Sequence, residues 1–300
     1  MISATRAARL RRLLDPFVER FDAERRIEGD PVELVRRYED PADQEIAGLI
    51  ASSFAYGRVG IFKPRVRRLL DQMGPSPRAY LEAFDPARDA DSLAWFAYRF
   101  HGPGDLGVLL VGIRSLLRKE GSLGRFMGKE LALRGSLREA LASFSGRIRG
   151  EGEGAEAFFG APRALDHLLP DPTRGSGAKR LLLYLRWMVR RDAVDLGAWE
   201  GLLPRSALVV PLDTHLFRIA RLLGLTRRRD ASWKTAEEIT ASLARLDAED
   251  PVRYDFALCH LGMSGMCPIR RDRARCTACA LRSECHAGRA FARLEARRAL

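Results

Sequence analysis

An all-α protein is what this chain predicts, and three observations predict it. Apolar residues recur at helical spacing through most of the length, as at Ile46, Leu49, Ile50 and Ser53. No stretch sustains the alternation of a strand, and residues 208–210 (LVV) form the single β-like triplet. Proline and glycine fall between the periodic segments and so punctuate helices.

Residues 2–21 are basic and amphipathic, with Leu10, Leu13, Leu14, Phe17 and Phe21 on one face. Asp15 and Glu19 interrupt the run and no apolar signal core follows, so a docked helix is expected there and not a leader. Helical periodicity then covers 32–38 and 43–54, the second running into FAYGR at 54–58. A basic helix over 62–73 stops at Gly74, Pro75 and Pro77. Shorter helices are expected over 79–84 and 93–100, followed by an HGPG turn at 101–104. The pattern resumes over 106–117, 123–127 and 137–148, and the glycine-rich stretch 150–154 reads as an exposed loop. Residues 165–169 end at Pro170. A helix from 179 follows, apolar on nearly every side and therefore expected to be buried. A further helix covers about 214–224.

Three hundred residues suffice for two domains, expected at 31–199 and at 200–300 joined by the N-terminal helix 1–30, with a cleft between them. Hydrophobic content of 46% and charged content of 30% suit a globular protein. The formal charge of +12 favours a polyanion, because neutralised phosphates release counterions. The longest apolar stretch is far too short to span a membrane, and a cytoplasmic, nucleoid-associated monomer is expected. Four of the five cysteines fall at the C-terminal end, which points to a metal site in a reducing compartment.

Two single residues stand out. Pro170, Pro172, Gly175 and Gly177 forbid helix and allow close backbone approach just before Lys179. Amides at a helix start favour anions, and Arg174 and Arg180 add charge there. The dipole disfavours a cation at Lys179, which suits an amine nucleophile; the plainer alternative is one more phosphate-binding cation. Asp213 stands at the N-cap of the 214–224 helix, where a simple cap is one reading and stabilisation of a developing positive charge another.

Cys267, Cys276, Cys279 and Cys285 give the spacing C-x8-C-x2-C-x5-C, able to close around one metal centre. Between the first two lie Arg270, Arg271, Arg273 and Arg275 with one aspartate, a basic loop able to meet a nucleic-acid backbone. Cys259, His215 and His260 are expected to serve packing and capping.

The string PLDTHLFRIARLLGL at 211–225 resembles the helix-hairpin-helix DNA glycosylases of the endonuclease III type. The resemblance implies an all-α glycosylase fold of two helical domains, a catalytic aspartate at Asp213, a lysine at Lys179 and a [4Fe–4S] cluster on the four cysteines. Zinc remains the alternative metal. The 34 positions from Lys179 to Asp213 are closer to the archaeal 8-oxoguanine glycosylases than to endonuclease III. The string EIAGLIASSFAYGR at 45–58 resembles the early glycosylase helix that ends in a DNA-wedging loop. That likeness places Phe54 where the family fills the gap left by a flipped base, with Tyr56 and Arg58 beside it. Tyr56, Trp187 or Trp199 are candidates to stack on the base. Arg174, Gly175, Gly177, Arg180, Arg270, Arg271 and Arg273 are the implied backbone contacts on double-stranded DNA with a damaged base. The chain departs from the family where LPDPTRGSG at 169–177 replaces the usual hairpin, and where 106–162 has no counterpart. Implied is removal of 8-oxoguanine or another oxidised base, with abasic-site cleavage through a Lys179 Schiff base. A non-catalytic DNA- or RNA-binding protein and a zinc-stabilised helical interaction module are the alternatives.

Overall fold

The computed structural model describes residues 2–298, and among them every regular element is helical. In chain order the α-helices are α1 (Ala4–Glu19), α2 (Glu24–Ile27), α3 (Val32–Val35), α4 (Pro41–Ser53), α5 (Val59–Met73), α6 (Pro77–Ala83), α7 (Pro86–Leu93), α8 (Pro103–Glu120) and α9 (Leu123–Arg134). There follow α10 (Leu137–Glu151), α11 (Glu156–Phe159), α12 (Leu165–Leu168), α13 (Lys179–Val189), α14 (Thr214–Leu222), α15 (Trp233–Leu243), α16 (Asp255–Met263), α17 (Arg273–Ala278) and α18 (His286–Arg298). Residues 208–210 join no strand among the described residues; the Val210 amide donates instead to Thr240 Oγ1 at 3.0 Å.

The chain divides into two compact units. One runs from Ile27 to Pro204, a few residues beyond the expected 31–199 at either end. The other joins the N-terminal stretch through Arg26 to everything from Arg205 onward.

In the Ile27–Pro204 unit, α4 and α13 pack on each other at the centre. Asp40 caps α4 through the Ala42 amide, and Pro41 opens the helix where its missing N–H costs nothing. From Ile46 to Ser53 every α4 residue is buried, and so is every α13 residue after Lys179. Gly48 permits this closeness: a Cβ there would lie 2.8 Å from Met188 Cε and 3.2 Å from Tyr184 Cε2. Both expected stacking tryptophans are committed to this core. Trp187 is fully buried, and Trp199 donates its Nε1 to the buried Glu45 carboxylate at 2.8 Å.

The 106–162 region supplies α8 to α11, which pack as a further layer on the same core. α8 meets α10 so closely that a Cβ on Gly112 would run into the Ile148 carbonyl. α10 continues two residues into the expected loop, to Glu151, and Gly152 packs against Val108, while Glu153 and Gly154 lie in an exposed turn.

In the second unit, Ser3 caps α1, whose Leu10 and Leu14 are fully buried. Arg6 and Arg9 tie α1 to Glu284, the latter at 2.6 Å. α14 packs on α16, and Gly262 makes room for the His215 side chain.

Candidate functional site

Lys179 belongs to the Ile27–Pro204 unit and is the first residue of α13, half-buried. The hairpin expected before it is a 3-10 turn, Pro172–Arg174, capped by Asp171 and braced by Arg138 Nε on the Pro172 carbonyl at 3.0 Å. Gly175 then takes φ +93°, and Ala178 takes φ +45° at the N-cap. A left-handed alanine stores strain that a glycine would not, directly beside the lysine. Arg174 and Gly175 are exposed and Gly177 half-buried, so these three stand together on the turn.

Arg180 is not on that surface. It is buried, and its guanidinium donates to the carbonyls of Ser53 and His167. Burial lowers its pKa to about 10. The expected phosphate contact at this position is replaced by a bond that pins α13 to the end of α4. Phe54 likewise departs from its expected place as a gap-filling wedge. It is 1% exposed and packs 4.9 Å from Phe96 and 5.7 Å from His101. The residue after an amphipathic helix can close inward, and here the packing partner comes from the 93–101 segment.

Tyr56 and Arg58 do reach the surface, Tyr56 half-buried and Arg58 exposed. Tyr56 stands in an aromatic group that the sequence did not disclose. Phe100, 49% exposed, stacks on it at 5.8 Å and 7°. His167 meets the same ring edge-on at 4.7 Å, and the Arg180 guanidinium lies 5.1 Å from its centre. Burial and the neighbouring Tyr98 push the Tyr56 hydroxyl up to about 12, against the pull of Arg180 and Arg99. Behind them runs a polar chain. Asp105 lies 3.7 Å from His101 Nδ1, and His101 Nε2 lies 3.1 Å from His167 Nδ1. Burial would raise Asp105, yet the His101 ring beside it and bonds from the Ala164, Gly102 and Arg163 amides hold it down at about 2. Burial, then Arg180 and His101, lower His167 to about 4. The HGPG turn was the only signal in the sequence, and it spoke of backbone alone.

In the other unit Asp213 is the N-cap of α14, half-buried. Its Oδ1 accepts the Leu216 amide at 2.7 Å, and its Oδ2 accepts the Cys259 thiol at 3.0 Å. Cys259 therefore does more than the packing expected of it: from α16 it orients the candidate carboxylate. His260 is buried 4.2 Å from the Phe256 ring, as packing requires.

Arg218 of α14 links this aspartate's helix to the cysteines. Its guanidinium donates to Cys267 Sγ at 3.2 Å, to Cys267 O at 2.6 Å and to Pro268 O at 3.0 Å. Asp272 caps α17 through the Arg275 amide, which presents Cys276 in the helix. Burial raises the Cys276 and Cys279 thiols, and each is raised further by Cys285 and Cys267. All four cysteines are half-buried free thiols within electrostatic reach of one another. Four soft thiolate donors fit an iron–sulfur cluster or a structural zinc. Among the described residues no three metal-binding side chains are drawn together to ligating distance. Arg270, Arg271 and Arg273 are exposed on this loop, and Arg273 pairs with Glu295 at 3.2 Å.

A family model described as a protein of unknown function, DUF2400, matches residues 30–264. The chain belongs to the DUF2400 family. No curated protein and no solved structure matches it. The part shared with DUF2400 takes in Lys179, the Tyr56–His167 group, Asp213 and Cys259. It ends before Cys267, so the thiol loop lies outside the matched DUF2400 region.

Proposed function

We propose that this DUF2400 chain is a DNA-repair glycosylase that removes a damaged base, with abasic-site lyase activity through Lys179. One observation carries the reading. Asp213 caps α14 with its carboxylate fixed by an amide and a thiol, while Arg218 of that helix grips Cys267. Aspartate and thiol loop are thus parts of one unit, as a glycosylase of this kind requires.

In the proposed chemistry the target nucleotide leaves the stack at a cost of a few kcal/mol, least for a damaged base. As the N-glycosidic bond breaks, its electron pair departs with the base and the sugar becomes oxocarbenium-like. The Asp213 carboxylate, oriented by the Leu216 amide and the Cys259 thiol, stabilises that charge. The Lys179 amine donates its lone pair to C1′; loss of its protons and opening of the sugar give the Schiff base, from which β-elimination breaks the strand. Cys267, Cys276, Cys279 and Cys285 would hold the metal group. When bound it supplies a rigid pin for the basic loop, and exposed Arg270 and Arg271 then stand at fixed points for phosphates.

Borohydride trapping on duplexes bearing an abasic site or 8-oxoguanine tests this. A covalent adduct is expected with the native chain and none with Lys179→Ala. Asp213→Asn is expected to slow base release about 10²–10³-fold, the scale of losing one charge-stabilising group. No adduct and no base release across a lesion panel sinks the proposal and leaves a nucleic-acid binder. Iron with acid-labile sulfide, or one zinc per chain, identifies the metal.

A further inference from the structure

The unit that holds Asp213 also contains a cavity of about 1030 Å³ on the surface formed by the start of α1, the end of α14 and the residues that follow it. Six arginines line it: Arg6, Arg218, Arg221, Arg227, Arg229 and Arg271. Glu238 is the single carboxylate on its wall, and it accepts the Arg227 backbone amide at 3.4 Å.

The arginines divide into two kinds. Arg6 and Arg218 are structural, the first bonded to the Leu223 carbonyl at 2.8 Å and the second to Cys267. Both hold the wall in place. Among the described residues no carboxylate lies within ion-pair distance of Arg221, Arg227, Arg229 or Arg271. This contrasts with the many arginines of the chain that do pair, such as Arg9 with Glu284 and Arg78 with Glu82. Four uncompensated guanidinium groups around one concavity repel one another, and no cap or core need explains their gathering. A multivalent anion relieves the repulsion and engages the planar forks bidentately. Phe217 also lines the cavity, with Arg221 5.7 Å from its ring, so one face beside the cations is aromatic.

We infer that this cavity is a site for a compact oligophosphate, two or more adjacent phosphoryl groups, carried either on a free molecule or at a nucleic-acid strand terminus. A cavity of this size matches a nucleotide-sized ligand. An extended phosphodiester track needs a groove and not a pocket. The inference shares Arg218 and Arg271 with the glycosylase proposal but requires neither Lys179 nor Asp213, and its test variants leave both arginines in place.

Calorimetric titration of the full chain with inorganic tripolyphosphate at low ionic strength tests it. Saturable micromolar binding is expected, and Arg221→Ala/Arg227→Ala is expected to weaken it at least about tenfold. Arg229→Ala alone, which alters one exposed side chain, gives a smaller loss and serves if the double variant unfolds. Arg118→Ala/Arg125→Ala removes two exposed charges from the other unit and should bind as the native chain does. Equal loss in that control, unchanged affinity in the cavity variants, or no heat up to about 1 mM overturns the inference. Displacement of tripolyphosphate by a 5′-phosphorylated oligonucleotide, but not by its 5′-hydroxyl counterpart, assigns the strand terminus. Displacement by neither assigns a free oligophosphate, and equal displacement by both overturns the compact-ligand assignment in favour of backbone contact. Loss of base-excision activity has no bearing on these readouts, so the two proposals fail separately.

Discussion

Asp213 caps α14 and, in the proposed chemistry, also stabilises the sugar cation; single substitutions separate the two roles. Asn is as good an N-cap as Asp, so Asp213→Asn should keep the stability of α14 while removing the charge. Asp213→Ala should cost about 1 kcal/mol in thermal or denaturant unfolding as well as the chemistry. Cys259→Ala leaves Oδ2 without its thiol donor. Slower base release is expected with unchanged DNA affinity, and Cys259→Ser should restore the rate, since a hydroxyl also donates. Equal rates for all three chains would remove Cys259 from the mechanism. Glu45 makes a different prediction. Its Oε2 accepts Ser122, Trp199 and the Gly124 amide, yet burial still raises its pKa. A carboxyl raised by folding contributes stability at low pH that is lost as pH rises through its folded value. The melting temperature of Glu45→Gln relative to the native chain should therefore be higher at about pH 8 than at about pH 4.5. A pH-independent difference would mean that Glu45 titrates as it does unfolded. The cap at Asp213 was legible because an N-cap is written within three residues. The thiol on its other oxygen comes from 46 residues away and left no trace in the string.

At the scale of elements, the buried character of α13 followed from its apolar sides, and it is buried from Arg180 to Val189. Its partner α4 also reads as helix, but the pairing depends on Gly48. Two glycine substitutions should rank accordingly. Gly112→Ala pushes a methyl against the Ile148 backbone carbonyl, which cannot move without parting α8 from α10, and should cost about 1–3 kcal/mol. Gly48→Ala meets chiefly the flexible end of Met188 at 2.8 Å, so it should cost less. Chemical denaturation of both variants checks the order. The FAYGR segment shows where periodicity fails: it placed Phe54 at a helix end but could not say that the 93–101 segment folds over it. Arg180 was misplaced for the same reason. Its charge suggested a phosphate, whereas the Ser53 and His167 carbonyls take it inside.

For the whole molecule, the division into two units confines what metal removal should do. Loading with iron and sulfide or with zinc, followed by chelation, should reduce hydrogen-exchange protection around 255–298 and leave α4, α8 and α13 unchanged. Loss of protection in both units would contradict that assignment. If the proposed function holds, DNA affinity should fall steeply with added salt, since a +12 chain that neutralises phosphates releases counterions. A flat salt dependence of the measured affinity would argue against a phosphate-led interface.

The sequence by itself determined the helical class, the aspartate cap, the buried run after Lys179 and the four-cysteine spacing. Each is local: backbone hydrogen bonds, caps and chelate spacing act over a few residues. Only the tertiary structure decided which side chains share a surface. It buried Phe54 and Arg180, assembled Tyr56, Phe100 and His167, placed Asp105 behind the two histidines, and set Cys259 on Asp213. Apart from Asp105 and His101, four positions apart, those contacts join residues tens to more than a hundred positions apart, and the close approach of helices that makes them depends on the packing of many side chains at once.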